Sequence, residues 1–406
     1  MEQSLSRTRI EIAMLFVLYL FILPRVSMDY DMGFWRDWAL KIHHFGLGNT
    51  YNTSINYFPV FVYALYLYDL LQGTDANIIH NINNIKIFFV FFDFLPIFVL
   101  CCFRQKILSF KIPYLFLILN VAYIFNSMVW GQIDSIYTGF AFLAIITGIF
   151  YPIPSSLLYV LALNTKPQAI EFLPIMAVVL IYSVRSWKIF FIAVGAALLL
   201  QLVLLLPFIN AGGPSQLATI AMHTVGLYPK LSICAFNIWY IIARGNPYFI
   251  NDADTYFLFS YKIVGMILFA GAGLAILIPF FKRVWWLRKS HQTFDEAHYR
   301  LLFLSTGLLC LFFFYFNSEM HERYAHPIIL FFFFYAVAAR DYKLYVLASI
   351  PYLLSLDKCF PDYLPIVHYK IIYASVVIAG WYAATVCYGS YQFYRLIRTM
   401  PVNKSI

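Results

Sequence analysis

DYDMGFWRDWALKIHHFGLGNTYNTSINYFP, residues 29–59, is the first long polar stretch of the chain and follows an apolar opening run. Two carboxylates, Asp29 and Asp31, stand where that run ends. The residues behind them read as a short helix, with Trp35, Trp38, Ile42 and Phe45 on one face at steps of three, four and three. Such a face suits a helix lying along a bilayer, with indoles at headgroup level and Arg36, Asp37, Lys41 and His43 turned to water. The stretch therefore predicts two acids at a membrane surface, with Asp31 placed to cap the helix. Asp37 and Lys41 read as an exposed helix pair, and His43 and His44 as surface residues.

The composition surrounds this stretch with membrane. Hydrophobic residues fill 62% of the 406 positions and charged residues 12%, against about a quarter charged in soluble domains. This is the composition of a polytopic membrane protein. The net charge of +9 falls between apolar runs and forms no patch, so it reads as a topology signal and excludes a nucleic-acid partner. Six scattered cysteines, with Cys101 and Cys102 adjacent inside an apolar run, form neither a disulfide frame nor a zinc pattern. Arg7 and Arg9 precede the first apolar run, and no small-x-small cleavage site precedes Arg25, so that run reads as an uncleaved first span.

Candidate spans are 10–24, 85–103, 112–125, 135–150, 154–163, 169–184, 189–208, 256–281, 301–316, 327–339, 344–356 and 366–388. Residues 56–71 form a further apolar run. Counting it as a juxtamembrane helix puts Arg104, Lys106, Lys111, Lys282, Arg283, Arg288 and Lys289 all on the cytoplasmic side, as the positive-inside rule asks. The fold expected is an all-α transmembrane bundle in two modules. Residues 1–210 carry the long first extracytoplasmic loop, 25–84, and residues 211–406 carry a second loop, 211–255, and a polar turn, 317–327.

Three short polar turns fall on the side of the first loop: NSMVWGQIDS at 126–135, NTKPQAIEFLP at 164–174 and NSEMHERYAHP at 317–327. Charges at membrane depth are costly unless they are paired or line a wet cavity. Three such turns on one side therefore predict a shared polar cavity, where the plainer alternative is helix caps and interfacial anchors. Asp93, inside a span, reads as a helix-packing group. Asp29 and Asp31 also have the D-x-D spacing of metal-binding acids, which leaves room for a divalent cation, Mg or Mn.

Taken in order, Asp31 with Trp38, Asn56-Tyr57-Phe58-Pro59, Gln132 with Asp134 and Ser135, Lys166 with Gln168, Phe236-Asn237 with Trp239, and His321-Glu322-Arg323 with Pro327 make a pattern. It resembles the GT-C superfamily of membrane glycosyltransferases. The nearest likenesses are the dolichyl-phosphate-glucose glucosyltransferases of N-glycan assembly, the second mannosyltransferase of GPI-anchor assembly, and their prokaryotic relatives. The resemblance implies a GT-C bundle of about 11–13 spans with juxtamembrane helices in the first loop. It also implies a polyprenyl-phosphate-linked sugar donor and inverting transfer on the extracytoplasmic face.

On that reading Asp31 is the catalytic base and removes a proton from an acceptor hydroxyl. Arg323, with His321 and Lys166, holds the donor phosphate. Asp29, Gln132, Asp134, Gln168, Glu322 and Tyr57 contact substrate. No cofactor is required, and the metal-assisted version would place its cation on Asp29 and Asp31. The partners expected are the lipid-linked donor, a glycan acceptor that is lipid-linked or on the cell surface, and membrane lipid. The expected location is a prokaryotic plasma membrane, or the endoplasmic-reticulum membrane in a eukaryote. A transporter or flippase using the same charges is the competing class; it predicts internal repeats, and none is evident.

Overall fold

The computed structural model describes residues 2–23, 29–107, 112–211, 213–223, 226–359 and 371–400; the side chains of 2–6, 29, 102–107, 210, 211 and 223 are not among those described. Asp29, Arg104, Lys106 and Lys111, and part of the run 366–388, thus lie outside the described side chains. Apart from strands of two residues, the regular structure is helical. Among the described residues, four helices are long and apolar enough to cross a membrane: Ile82–Cys101, Trp187–Ile209, Tyr261–Lys289 and Glu296–Phe316. They differ in what covers them. The apolar window of Glu296–Phe316 is 83% buried, so this helix is a pillar inside the protein, whereas that of Trp187–Ile209 is 11% buried. Leu198, Leu199 and Leu202 stand bare on the latter, a surface that water would not tolerate and hydrocarbon would.

The chain divides into two compact units, one made of Met1–Arg104 and Ile124–Leu227, the other of Gln105–Tyr123 and Tyr228–Ile406. The insertion of 105–123 into the second unit has a local cause. Asn120 Nδ2 donates to the Tyr345 hydroxyl at 2.6 Å and to Ser349 Oγ at 2.8 Å, and the Tyr123 ring stacks on His326 at 4.6 Å.

In the first unit, the helix Asp29–Phe45 packs against the helix Pro59–Gln72. Trp35, Trp38 and Ile42 do share a face, but they are buried in a core with Phe61, Val62, Leu65 and Phe89, while Phe45 is exposed. Protein, not lipid, covers this face; Trp35 meets Phe61 edge-on at 4.7 Å and Tyr57 at 5.2 Å. Asp31 lies inside the helix Asp29–Phe45 and is not its cap. Asp37 and Lys41 do pair, at 2.5 Å. His43 is less superficial than expected. Its Nδ1 lies 2.6 Å from the buried Asp69, and His44 reaches Asp75 at 3.1 Å, which ties this helix to the two that follow. Pro59–Gln72 has Pro at its start, a left-handed Gly73 at its end, and 14 residues. That length rises about 21 Å, short of about 30 Å of hydrocarbon, as does that of His326–Ala339, which the sequence reads as a span and which also holds 14 residues.

In the second unit, Glu296–Phe316 packs against Tyr261–Lys289, His326–Ala339 and Ser375–Thr399. The 29-residue helix Tyr261–Lys289 ends in basic residues beside indoles, Arg283 over Trp286 at 5.2 Å and Arg288 over Trp285 at 5.8 Å. Strand Ser232–Ile233 pairs in parallel with Met320–His321, which joins the loop after the first unit to the His-Glu-Arg turn.

Candidate functional site

Each unit gathers one set of polar side chains. In the first, the chain leaves a π-helical turn, Phe125–Trp130, and passes through Gly131 at φ 79°. The Trp130 indole N–H donates to Asp31 Oδ2. The Trp35 indole donates to the Gly131 carbonyl at 2.8 Å. Two indoles thus lock the Trp-Gly-Gln turn to the helix that carries Asp31, and Asp31 itself is half-buried.

A side chain at 131 would be both left-handed and crowded, because its Cβ would strike Met32 Sδ and come within 3.1 Å of Lys86 Cε. Gly131→Ala should therefore destabilise the protein by about 1–2 kcal/mol from the backbone alone, read as a lower thermal midpoint in detergent. An unchanged midpoint would mean that the turn relaxes away from Met32. Lys86, fully buried next to this turn with Nζ 3.4 Å from the Val129 carbonyl, is a neighbour that sequence reasoning passed over.

Behind the turn lies a buried ion pair. Lys166 Nζ sits 2.5 Å from Asp134 Oδ1, with side chains 5% and 0% exposed. Asn126 Nδ2 donates to the other Asp134 oxygen at 3.3 Å. Gln132 is fully buried, its backbone N–H bonded to the Asn126 carbonyl at 2.8 Å. Neither its amide oxygen nor its amide nitrogen has a hydrogen-bond partner among the described residues. Gln168 is half-buried and Glu171 buried on the neighbouring turn. Asp93 accepts from Ser127 Oγ, in keeping with helix packing. The Tyr57 ring lies between Trp35 and Trp38, 5.2 Å from each.

In the second unit, the Phe-Asn-x-Trp element holds the start of the His-Glu-Arg turn. Asn237 Nδ2 and Trp239 Nε1 both donate to the Asn317 carbonyl at 3.1 Å. Ser318 Oγ donates to Asp252 at 2.7 Å, and Lys262 bonds Glu319 at 2.7 Å. So clamped, the turn presents His321 edge-on to the rings of Tyr228 at 5.6 Å and Tyr324 at 5.3 Å. Arg323 lies 3.8 Å from the buried Glu322 carboxylate and over the Tyr324 ring at 5.5 Å. His321 and Arg323 keep partial access to solvent, and together they offer forked and ring N–H donors to an anion. Beside them, the Cys234 thiol is held below its usual range by its hydrogen bond with Cys359 and by Lys358, against the opposing pull of burial and of Glu322.

Compared with known proteins, the chain matches no protein-family model and no curated protein sequence.

Proposed function

We propose that this chain is a multi-pass GT-C glycosyltransferase that moves a hexose from a polyprenyl-phosphate carrier to an acceptor hydroxyl with inversion. The observation that carries the reading is the Asp31 carboxylate: one oxygen takes the Trp130 N–H, and the other accepts no hydrogen bond among the described residues. Indole is a donor only, so it orients a carboxylate without offering it a proton. In the first unit, Asp31 takes the acceptor's hydroxyl proton as that oxygen bonds to C1 of the sugar. The C1–O bond to the lipid phosphate breaks, and its electron pair leaves with the phosphate. In the second unit, Arg323 and His321 offer a phosphate group forked and ring N–H donors. The buried amide of Gln132 suits a sugar hydroxyl, and the Lys166–Asp134 pair lies on the neighbouring turns.

The test is purified protein in liposomes with a polyprenyl-phosphate hexose and a lipid-linked glycan, scored for labelled product and for released polyprenyl phosphate. Arg323→Lys should keep the charge but lose the fork, raising the donor KM about tenfold. Donor crossing the bilayer without sugar transfer would replace this reading with a flippase.

A further inference from the structure

Three ligand atoms converge in the second unit from three separate segments: Sγ of Cys234, a carboxylate oxygen of Glu322 and Sγ of Cys359, all within 4.8 Å of one another. Each is fixed by its own backbone. Cys234 follows the strand Ser232–Ile233, bridges to His321, and is held at φ 55°. Glu322 follows the strand Met320–His321 and is 2% exposed. Cys359 closes the helix Lys343–Cys359. Lys358, the one lysine next to the cluster in sequence, directs its ammonium to the Tyr373 carbonyl and Ser375 Oγ and lies over the Phe236 ring at 4.9 Å.

Zinc takes thiolate sulfur at about 2.3 Å and carboxylate oxygen at about 2.0–2.2 Å in a tetrahedron, which puts neighbouring ligand atoms about 3.5–4 Å apart. The cluster has that chemistry, two soft sulfurs and one hard oxygen within 4.8 Å of one another, with the Glu322 carboxylate buried among them. We propose that Cys234, Glu322 and Cys359 bind a divalent cation of the zinc class through two thiolates and a carboxylate, with the fourth position left to water. Binding releases the thiol protons to solvent. The ion would tie the His-Glu-Arg turn to the end of Lys343–Cys359 and neutralise Glu322, freeing the charge of Arg323 for an anion. That last consequence rests on the donor-binding role proposed for Arg323; the metal site does not.

The experiment uses the full chain, purified without chelator, as wild type and as Cys234→Ser, Cys359→Ser and Cys387→Ser. The expected result is one zinc per chain by elemental analysis in wild type and Cys387→Ser, with occupancy at least about tenfold lower in the other two. Cobalt added to metal-free wild type should give a thiolate-to-cobalt charge-transfer band, and this reading needs no variant to fold. Wild type without zinc and without that band overturns the proposal. A Cys234–Cys359 disulfide, found as two thiols that alkylate only after reduction, overturns it as well. Metal content and transfer are scored separately, so a zinc-loaded protein that transfers no sugar would sink the enzyme reading and leave the site standing.

Discussion

Asp31→Asn should lower kcat for sugar transfer by about 10²–10⁴-fold and leave the donor KM nearly unchanged. The substitution is isosteric, and the Asn carbonyl still accepts the Trp130 N–H that now reaches Asp31 Oδ2. The first turn of the helix and the Trp-Gly-Gln turn therefore keep their places. What is lost is the ability to take a proton, since an amide is not a base at neutral pH. The measurement is the initial rate of labelled hexose transfer at saturating donor. Trp130→Phe, which keeps the base but removes its tether, should fall much less. Transfer at the wild-type rate in Asp31→Asn would take Asp31 out of the chemistry.

Lys166→Met should destabilise the protein by about 3–5 kcal/mol, because it leaves the Asp134 carboxylate, 0% exposed, without its cation. The neutral Asn126 amide does not balance a buried negative charge. The double variant Lys166→Met with Asp134→Leu should recover most of the loss, since an apolar pair of similar volume avoids the desolvation that an ion pair carries. Thermal midpoints of the wild type, the two single variants and the double variant in one detergent give the coupling directly. Additive effects would show that the two groups do not depend on one another.

Much of the helical plan was legible because apolar runs and basic loop ends are written locally. The juxtamembrane reading of the run 56–71 came from charge placement alone, and length does not separate it, since Pro59–Gln72 and His326–Ala339, read as a span, both hold 14 residues. The face formed by Trp35, Trp38 and Ile42 was also visible, but what it faces was not. An indole and an isoleucine look the same to lipid as to a protein core, and only the partner helix with Phe61 and Leu65 decides. Site contacts were legible as residue types and not as pairs. Asp31 and Trp130 lie 99 positions apart, and Lys166 and Asp134 lie 32 apart, so no local pattern joins them. Cysteine spacing was uninformative for the same reason: Cys234 and Cys359 meet only through a strand pair and a helix end.

The helix Tyr261–Lys289 holds 29 residues and so measures about 43 Å, well beyond about 30 Å of hydrocarbon. At one end Lys262 grips Glu319, and at the other Arg283, Arg288 and Lys289 rest by Trp285 and Trp286, residue types that favour headgroup depth. A rod anchored at both tips can answer a thinner or thicker bilayer only by changing its slant. Any such change pulls on the residue two places before His321. Acyl-chain length is therefore a variable to which the sugar transfer proposed for this protein should respond, with lipid mismatch acting as a lever on the His-Glu-Arg turn.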